Sequence, residues 1–167
     1  MKKIFLLLLV TLSTVQIYAQ DNEITTYYFI RHAEKVRTDT TNKNPNLTEV
    51  GKSRAQNWSS VFKDVTFNKI YSTNYNRTIQ TAKPTAKDKN LEIQFYDPRK
   101  LFNEDFKQKT IGKTVLIVGH SNTTPQFVNK ILETKKYPDI DDSNNSNLYI
   151  VTISNNITTY ILLKINL

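Results

Sequence analysis

The sequence contains no cysteine among its 167 residues. This absence excludes a thiolate nucleophile, a disulfide framework and a zinc site built from cysteines. Only two histidines are present, which argues against a histidine-rich metal site, although the two could still join carboxylates around a metal ion. We therefore predict no metal and no cofactor.

Long apolar runs are also missing, apart from one at the N-terminus. Lys2 and Lys3 precede the apolar run Ile4–Val10, and the small residue Ala19 closes the segment. This order is typical of a secretory signal peptide, and a run of this length is too short for the alternative, a membrane anchor. We predict a signal peptide over residues 1–19, export to the periplasm or the medium, and no stable membrane insertion after cleavage. Without a cysteine the chain cannot become a lipid-anchored lipoprotein.

The remaining residues 20–167 are long enough for one domain with a substantial core. The formal net charge is +8 and the pI is about 9.5. The lysines are scattered and form no dense run, which favours a solvated basic surface over a nucleic-acid interface. A positive field would still attract a phosphate-bearing substrate, and we predict no nucleic-acid partner.

Apolar runs rich in β-branched and aromatic residues alternate with helical patterns. The predicted strands cover residues 25–30, 69–73, 91–96 and 114–118, followed by a hairpin of 148–153 and 158–165. The predicted helices cover residues 49–62, 76–86 (kinked or shortened by Pro84), one that opens at Asp97 or Pro98, and 123–133. This order predicts an α/β fold: a single three-layer domain with a mostly parallel central sheet flanked by helices, and a C-terminal antiparallel hairpin at the edge.

Ligands of open α/β sheets bind at the carboxyl ends of the strands. The residues that follow the predicted strands there are Arg31, His32, Arg77, Asp97, His120 and Ser121. Both histidines of the protein therefore belong to one edge of the sheet. A lone histidine would more often be a core or capping residue, but the whole set at strand ends favours a functional site.

These residue types suit phosphoryl chemistry. Two guanidinium groups can hold a phosphoryl group and neutralise its oxygens. A neutral imidazole can attack phosphorus in line, and a second imidazole can stabilise the charge that develops. The helix that begins near Ser121 would add backbone N–H groups.

Four segments resemble the motifs of the histidine phosphatase superfamily, also called the phosphoglycerate mutase-like superfamily. Residues 28–35 resemble its Arg-His motif, 47–51 its Leu-Thr-x-x-Gly helix start, 72–82 its phosphate-binding arginine motif, and 118–122 the motif of its second histidine. Their order and spacing are compatible with that family. The resemblance implies that His32 is the nucleophile that becomes phosphorylated, with Arg31, Arg77 and His120 completing the phosphate pocket.

The proton donor is where the resemblance is weakest. Larger members supply a glutamate between the second and third motifs, where this chain has Asp97, Glu104 and Asp105. Asp97 is the first candidate, with helix capping as its alternative role, and Glu34 is the second candidate. Ser121 stands where the acid-phosphatase branch has an aspartate, so that branch fits poorly.

The short chain is similar to the compact members, such as phosphohistidine phosphatases, and leaves little room for a lid. We therefore predict a phosphatase that acts on phosphomonoesters or protein-bound phosphate, with a phosphorylated small molecule or a phosphoprotein as its partner. The alternatives are a non-catalytic phosphate-binding module, a mutase-like phosphotransferase, and a surface protein whose basic face binds an anionic polymer.

Overall fold

A computed structural model describes residues 23–166 of the chain. The predicted signal peptide, and with it the prediction of export, lies outside these residues. The strands are β1 (Thr25–Arg31), β2 (Lys69–Ser72), β3 (Ile93–Phe95), β4 (Thr114–Gly119), β5 (Asn147–Ser154) and β6 (Ile157–Lys164). The helices are α1 (Glu49–Val61), α2 (Asn76–Asp88), α3 (Glu104–Thr110) and α4 (Thr123–Ile131).

The strands form one six-stranded sheet in the order β3-β2-β4-β1-β5-β6. The first four of these are parallel to one another, and β5 and β6 run antiparallel at one edge. The two most apolar strands, β1 and β4, are adjacent at the centre, as their nearly continuous burial requires. The predicted mixed sheet with a C-terminal hairpin is therefore confirmed.

Helices cover both faces of the sheet and give the predicted three layers. On one face, Trp58 and Phe62 at α1 and the alanines of α2 pack against Leu116 and Val118. On the other face, Phe106 of α3 and Phe127 of α4 pack against the sheet. The central strands are thus excluded from water on both sides, and their carboxyl ends meet at one edge of the molecule.

Local capping explains where the elements begin and turn. The side chain of Thr48 accepts a hydrogen bond from the main-chain N of Gly51 and so caps α1. The β5–β6 hairpin turns at Asn155 and Asn156, both with positive φ (50° and 64°). Asparagine tolerates this left-handed conformation better than most residues, which fits a two-residue hairpin turn.

Three predicted boundaries were wrong. The third helix begins at Glu104, capped by Asn103, because Asp97 accepts a hydrogen bond from the main-chain N of Arg99 and closes a turn instead. Helix α2 continues through Pro84 to Asp88 rather than ending early. Strand β3 is only three residues long, because it pairs with β2 alone at the edge of the sheet.

Within residues 23–166, no helix has the length and apolar character needed to cross a membrane.

Candidate active site

The two histidines meet where β1 and β4 end. Arg31 pairs with Gly119 in the parallel register, and the main-chain N of His32 donates to the carbonyl of Gly119 at 2.9 Å. The imidazole rings of His32 and His120 are 5.4 Å apart between centroids and inclined at 68°. The structure therefore brings together the two residues that the sequence places at one edge of the sheet.

His32 is fixed in one orientation. Its side chain is buried, and Nδ1 lies 2.8 Å from the carbonyl oxygen of Ala33. A carbonyl can only accept, so Nδ1 carries the proton and Nε2 keeps its lone pair. Asn145, itself buried, donates to the carbonyl of His32 at 2.7 Å. The ring is thus held as a neutral imidazole with one free nitrogen.

Burial, which is the largest cause, and the nearby charges of Arg31, His120 and Arg77 together lower the pKa of His32 to about 3. The hydrogen bond to Ala33 acts in the opposite direction and is outweighed. All of these dominant effects disfavour the imidazolium form. His32 is therefore neutral at any pH near 7.

His120 lies between two residues of the segment that follows β2. Its Nε2 is 2.9 Å from the hydroxyl of Thr73, and its ring meets the edge of Tyr75 with centroids 5.2 Å apart. Burial first, and then the charges of Arg77, Lys35 and Arg31, lower the pKa of His120 to about 4. Like His32, it is neutral in the unliganded protein.

Arg31 is buried and is hydrogen-bonded by the loop that precedes β5. Its Nη1 donates to the carbonyls of Asp141, Asp142 and Asn144 at 2.8, 3.0 and 3.0 Å. Its Nη2 donates to the carboxylate of Asp142 at 2.5 Å. Asp142 also pairs with Arg37 at 2.6 Å. A polar segment with no evident sequence signal therefore fixes one of the phosphate-binding candidates.

Arg77 lies in the first turn of α2 and is half-buried, with its guanidinium carbon 4.5 Å above the ring of Tyr75. The Nε atoms of both Arg77 and Arg31 are buried, and neither has a hydrogen-bond partner among residues 23–166. Buried donors without partners are costly unless a ligand or water satisfies them. These two donors are therefore candidates for hydrogen bonds to a bound anion.

Lys35 belongs to the site, although the sequence reasoning gave it no role. It is half-buried three positions after His32, and its backbone bridges to Leu47. Burial and the cations Arg77, Arg37 and Arg31 lower its pKa, while Asp142 raises it. The spacing from His32 was the only signal in the sequence, and Lys35 joins Arg31 and Arg77 as a third cation whose charge acts on His120.

The two proton-donor candidates are engaged elsewhere. The carboxylate of Asp97 accepts hydrogen bonds from Nε and Nη2 of Arg99, each at 3.0 Å. The carboxylate of Glu34 accepts from Nε of Arg54 on α1, at 2.8 and 3.0 Å. Neither acid is among the charges that shift the pKa of the two histidines. Both arrangements have the form of structural ion pairs.

Ser121 follows His120 directly and is half-buried. Its carbonyl accepts a hydrogen bond from the main-chain N of Ile140. The backbone of Ser121 is thereby joined to the segment that leads into the loop around Asp142, which binds Arg31.

In the part of the chain that the structure describes, no cluster of three or more metal-ligating side chains occurs.

Comparisons with known proteins find one family model and a set of solved structures with this fold. The family model of the histidine phosphatase superfamily (branch 1) matches residues 27–98, which include Arg31, His32 and Arg77. A search of curated protein sequences returns no match.

Solved structures share the fold at low sequence identity. A putative phosphohistidine phosphatase SixA from Agrobacterium tumefaciens has a TM-score of 0.60 and 17% identity, covering 83% of this chain and 97% of its own. The protein histidine phosphatase SixA complexed with tungstate has a TM-score of 0.66 and 15% identity, covering 83% and 96%. A phosphoserine phosphatase from Entamoeba histolytica, solved with phosphoserine, has a TM-score of 0.63 and 16% identity, covering 81% and 94%.

The match over residues 27–98 and the shared fold fit a compact member of the histidine phosphatase superfamily (branch 1).

Proposed function

We propose that this protein is a phosphatase that works through a covalent phosphohistidine on His32 and needs no metal ion. One observation carries the proposal. His32 is a buried, neutral imidazole whose Nδ1 is held by Ala33, and it lies beside two arginines whose buried Nε atoms have no partner within residues 23–166. The site therefore combines a nucleophile with two groups that can donate hydrogen bonds to an anion.

In the first step, Nε2 of His32 attacks phosphorus in line. The N–P bond forms, and the bond from phosphorus to the leaving group breaks. No base is needed, because Nε2 already has a free lone pair and Nδ1–H remains bound to the Ala33 carbonyl. In the second step, water attacks the phosphoryl group, the N–P bond breaks, and inorganic phosphate leaves.

The cations of the site stabilise the phosphoryl group throughout. Arg31 and Arg77 can donate to its oxygens, and the charge of Lys35 lies close enough to lower the pKa of His120. A bound phosphate dianion would reverse that effect and favour protonated His120, which can then donate to a phosphoryl oxygen. Removal of one such donor typically costs about 10²- to 10³-fold in rate.

The leaving group indicates the substrate class. The two candidate acids are bound to arginines, Asp97 to Arg99 and Glu34 to Arg54, and so are poorly placed to act as strong proton donors. Without a strong donor, the favoured substrates are those whose leaving group departs easily, such as the imidazole of phosphohistidine or a phenol. Phosphohistidine in a protein therefore fits best, and two solved proteins of this fold are described as phosphohistidine or protein histidine phosphatases.

The test is hydrolysis of a chromogenic aryl phosphate between pH 5 and 8, with and without EDTA, by the wild-type protein and His32→Ala. Activity that survives EDTA and is lost in the variant supports the proposal. Phosphohistidine-bearing protein, compared with a phosphoserine peptide, then tests the substrate class. Loss of activity with EDTA, or full activity in His32→Ala, would refute the proposed mechanism.

The pairing of both candidate acids with arginines also favours a second candidate, a phosphate-binding module without turnover. This candidate predicts binding of inorganic phosphate that depends on Arg31 and Arg77, with no hydrolysis of any phosphate ester. Calorimetric titration with phosphate, run beside the activity assay, separates the two. Binding with turnover favours the enzyme, and binding alone favours the module.

We also propose that the protein acts outside the cytoplasm. The support is the sequence of residues 1–19, with Lys2 and Lys3 before an apolar run and Ala19 at its end. Intact-mass analysis of the purified protein tests this directly. A mature N-terminus at Gln20 supports export, and an intact N-terminus after expression in a secreting host contradicts it.

A further inference from the structure

The ring of His120 is held by two buried hydroxyl groups that lie behind it. Nε2 of His120 is 2.9 Å from Oγ1 of Thr73, and Oγ1 of Thr73 is 3.0 Å from Oγ1 of Thr78. Thr73 directly follows β2, and Thr78 lies in the first turn of α2. Both threonines are fully excluded from solvent, so water does not compete for these contacts.

The contacts of Thr78 fix the direction of these hydrogen bonds. Its hydroxyl donates toward the carbonyls of Thr73 and Tyr75, each at 2.9 Å. A carbonyl can only accept and a hydroxyl has one proton, so the proton of Thr78 is engaged by the backbone. Thr73 must then donate to Thr78, and its oxygen has only lone pairs left for His120. Nε2 of His120 is therefore the donor and carries the proton.

The reverse order of donors fits these distances less well. If Thr78 donated to Thr73 and Thr73 donated to Nε2 of His120, the oxygen of Thr78 would face two carbonyl oxygens at 2.9 Å with no proton between them. Oxygen atoms in that arrangement repel each other, and one buried hydrogen bond would be lost. The order in which His120 donates satisfies every contact of the set.

The two histidines are thus held as opposite tautomers. Nδ1 of His32 carries the proton, bound to the carbonyl of Ala33, and its Nε2 is free to attack phosphorus. Nε2 of His120 carries the proton, bound to Thr73, and its lone pair is on Nδ1. An imidazole in the wrong tautomer loses its part in proton transfer, so this choice bears directly on the chemistry of the site.

We propose that Thr73 is a positioning residue that holds His120 as the Nε2–H tautomer, so that Nδ1 is the atom that serves the phosphoryl group. The role of Nδ1 rests on the proposed phosphatase function, whereas the tautomer does not. When a phosphate dianion binds, Nδ1 takes a proton from the solvent and donates the new N–H to a phosphoryl oxygen. The proton returns to the solvent when phosphate leaves. Nε2 keeps its own proton throughout, so Thr73 accepts in both states.

The tautomers can be measured directly, because His32 and His120 are the only histidines of the chain. Nitrogen-15 NMR of the full chain, labelled at histidine, distinguishes protonated from unprotonated ring nitrogens, and His32→Asn assigns the two rings. At neutral pH we expect the Nε2–H tautomer for His120 and the Nδ1–H tautomer for His32. An Nδ1–H form of His120 in the wild-type protein would overturn the proposal, and this result needs no variant of Thr73.

Thr73→Val removes the hydroxyl and keeps the shape of the side chain. We expect His120 to shift toward the Nδ1–H tautomer, because Nε2–H would otherwise be buried without an acceptor. The kcat for an aryl phosphate should fall about tenfold, less than the loss of a whole donor, while KM changes little. Thr73→Ser should restore both tautomer and kcat. Thr85→Val is the matched control, since Thr85 is a buried threonine of α2 whose hydroxyl has no partner within residues 23–166.

An unchanged tautomer in Thr73→Val, or a kcat that falls as far in Thr73→Ser as in Thr73→Val, would overturn the role of Thr73. Addition of inorganic phosphate should move the Nδ1 signal of His120 toward that of a protonated nitrogen. If calorimetry shows that phosphate binds and Nδ1 does not respond, the role of Nδ1 is wrong. If phosphate does not bind and no ester is hydrolysed, the proposed function fails instead, and the tautomer of His120 is still decided by the spectrum.

Discussion

Asp142 accepts a hydrogen bond from Nη2 of Arg31 at 2.5 Å and forms an ion pair with Nη1 of Arg37 at 2.6 Å. Its pKa is lowered to about 2, chiefly by these two arginines, so it is an anion at every pH used for assays. Arg31 is buried, while Asp142 is 65% exposed. The loop residue thus fixes the guanidinium of Arg31, whose buried Nε has no hydrogen-bond partner among residues 23–166.

We expect Asp142→Asn to weaken the binding of inorganic phosphate by roughly three- to tenfold, because Arg31 loses the charged partner that fixes its orientation. The change is modest because the Asp142 side chain is largely exposed to solvent. Isothermal titration calorimetry measures the dissociation constant. Asp64→Asn is the matched control, since its carboxylate is exposed and only a lysine lies near it. Tighter phosphate binding in Asp142→Asn would show that the negative charge of Asp142 matters more than its position.

Stability should fall in acid because of His32. Its pKa is about 3 in the folded protein and near 6.5 when unfolded, so the unfolded state binds the additional proton below pH 6.5. The contribution is therefore complete above pH 6.5 and is lost as the pH falls toward 3, at up to about 1.4 kcal/mol per pH unit.

Urea unfolding of wild type and His32→Asn between pH 7 and 4 measures this effect. We expect the free energy of unfolding of the wild type to fall more steeply with decreasing pH than that of the variant. Parallel curves for the two proteins would mean that His32 does not have a strongly lowered pKa.

Asp97→Asn should keep turnover within about threefold of wild type, because the Asp97 carboxylate is bound by Arg99 and does not act as the proton donor. Loss of a true proton donor would lower the rate by about 10²- to 10⁴-fold. The hydrogen bonds from Arg99 lower the pKa of Asp97, so its carboxyl carries no proton to donate near neutral pH. A series of aryl phosphates with increasingly basic leaving groups provides the measurement. A loss that grows with leaving-group basicity would restore Asp97 as the proton donor.

Gly51→Ala should lower the free energy of unfolding by about 1–3 kcal/mol. A Cβ at residue 51 would overlap the carbonyl oxygen of Glu34, which accepts from the main-chain N of Thr48. Either α1 or the segment after His32 must then shift. Denaturant unfolding checks the value, with Ser53→Ala on the exposed side of the same helix as the control. Unchanged stability in Gly51→Ala would show that this contact adjusts freely.

The meeting of His32 and His120 could be predicted from the sequence because it depends on strand burial. Nearly continuous apolar runs identify β1 and β4 as central strands, and parallel strands bring their carboxyl ends to one edge. The fold class follows from the same alternation of strands and helices. The family model matches the chain over residues 27–98.

The rest of the site depends on contacts that local sequence cannot specify. The loop that holds Arg31 is more than 100 residues away in sequence, and its polarity indicates only that it is a loop. Asp97 satisfies the rules for a helix cap and for a turn equally well, and a nearby Arg99 decides between them. Lys35 contributes through the field it shares with three arginines, which only the folded arrangement reveals.

The most direct test of the proposed mechanism is to trap the covalent phosphohistidine on His32. The protein is mixed with an aryl phosphate, quenched within the first turnover under alkaline conditions that preserve phosphohistidine, digested, and mapped by mass spectrometry, with His32→Ala as the control. The proposed mechanism predicts one phosphoryl group on His32 that is acid-labile and absent from the variant. Turnover without a phosphorylated His32, or a phosphoryl group on another residue, would contradict it.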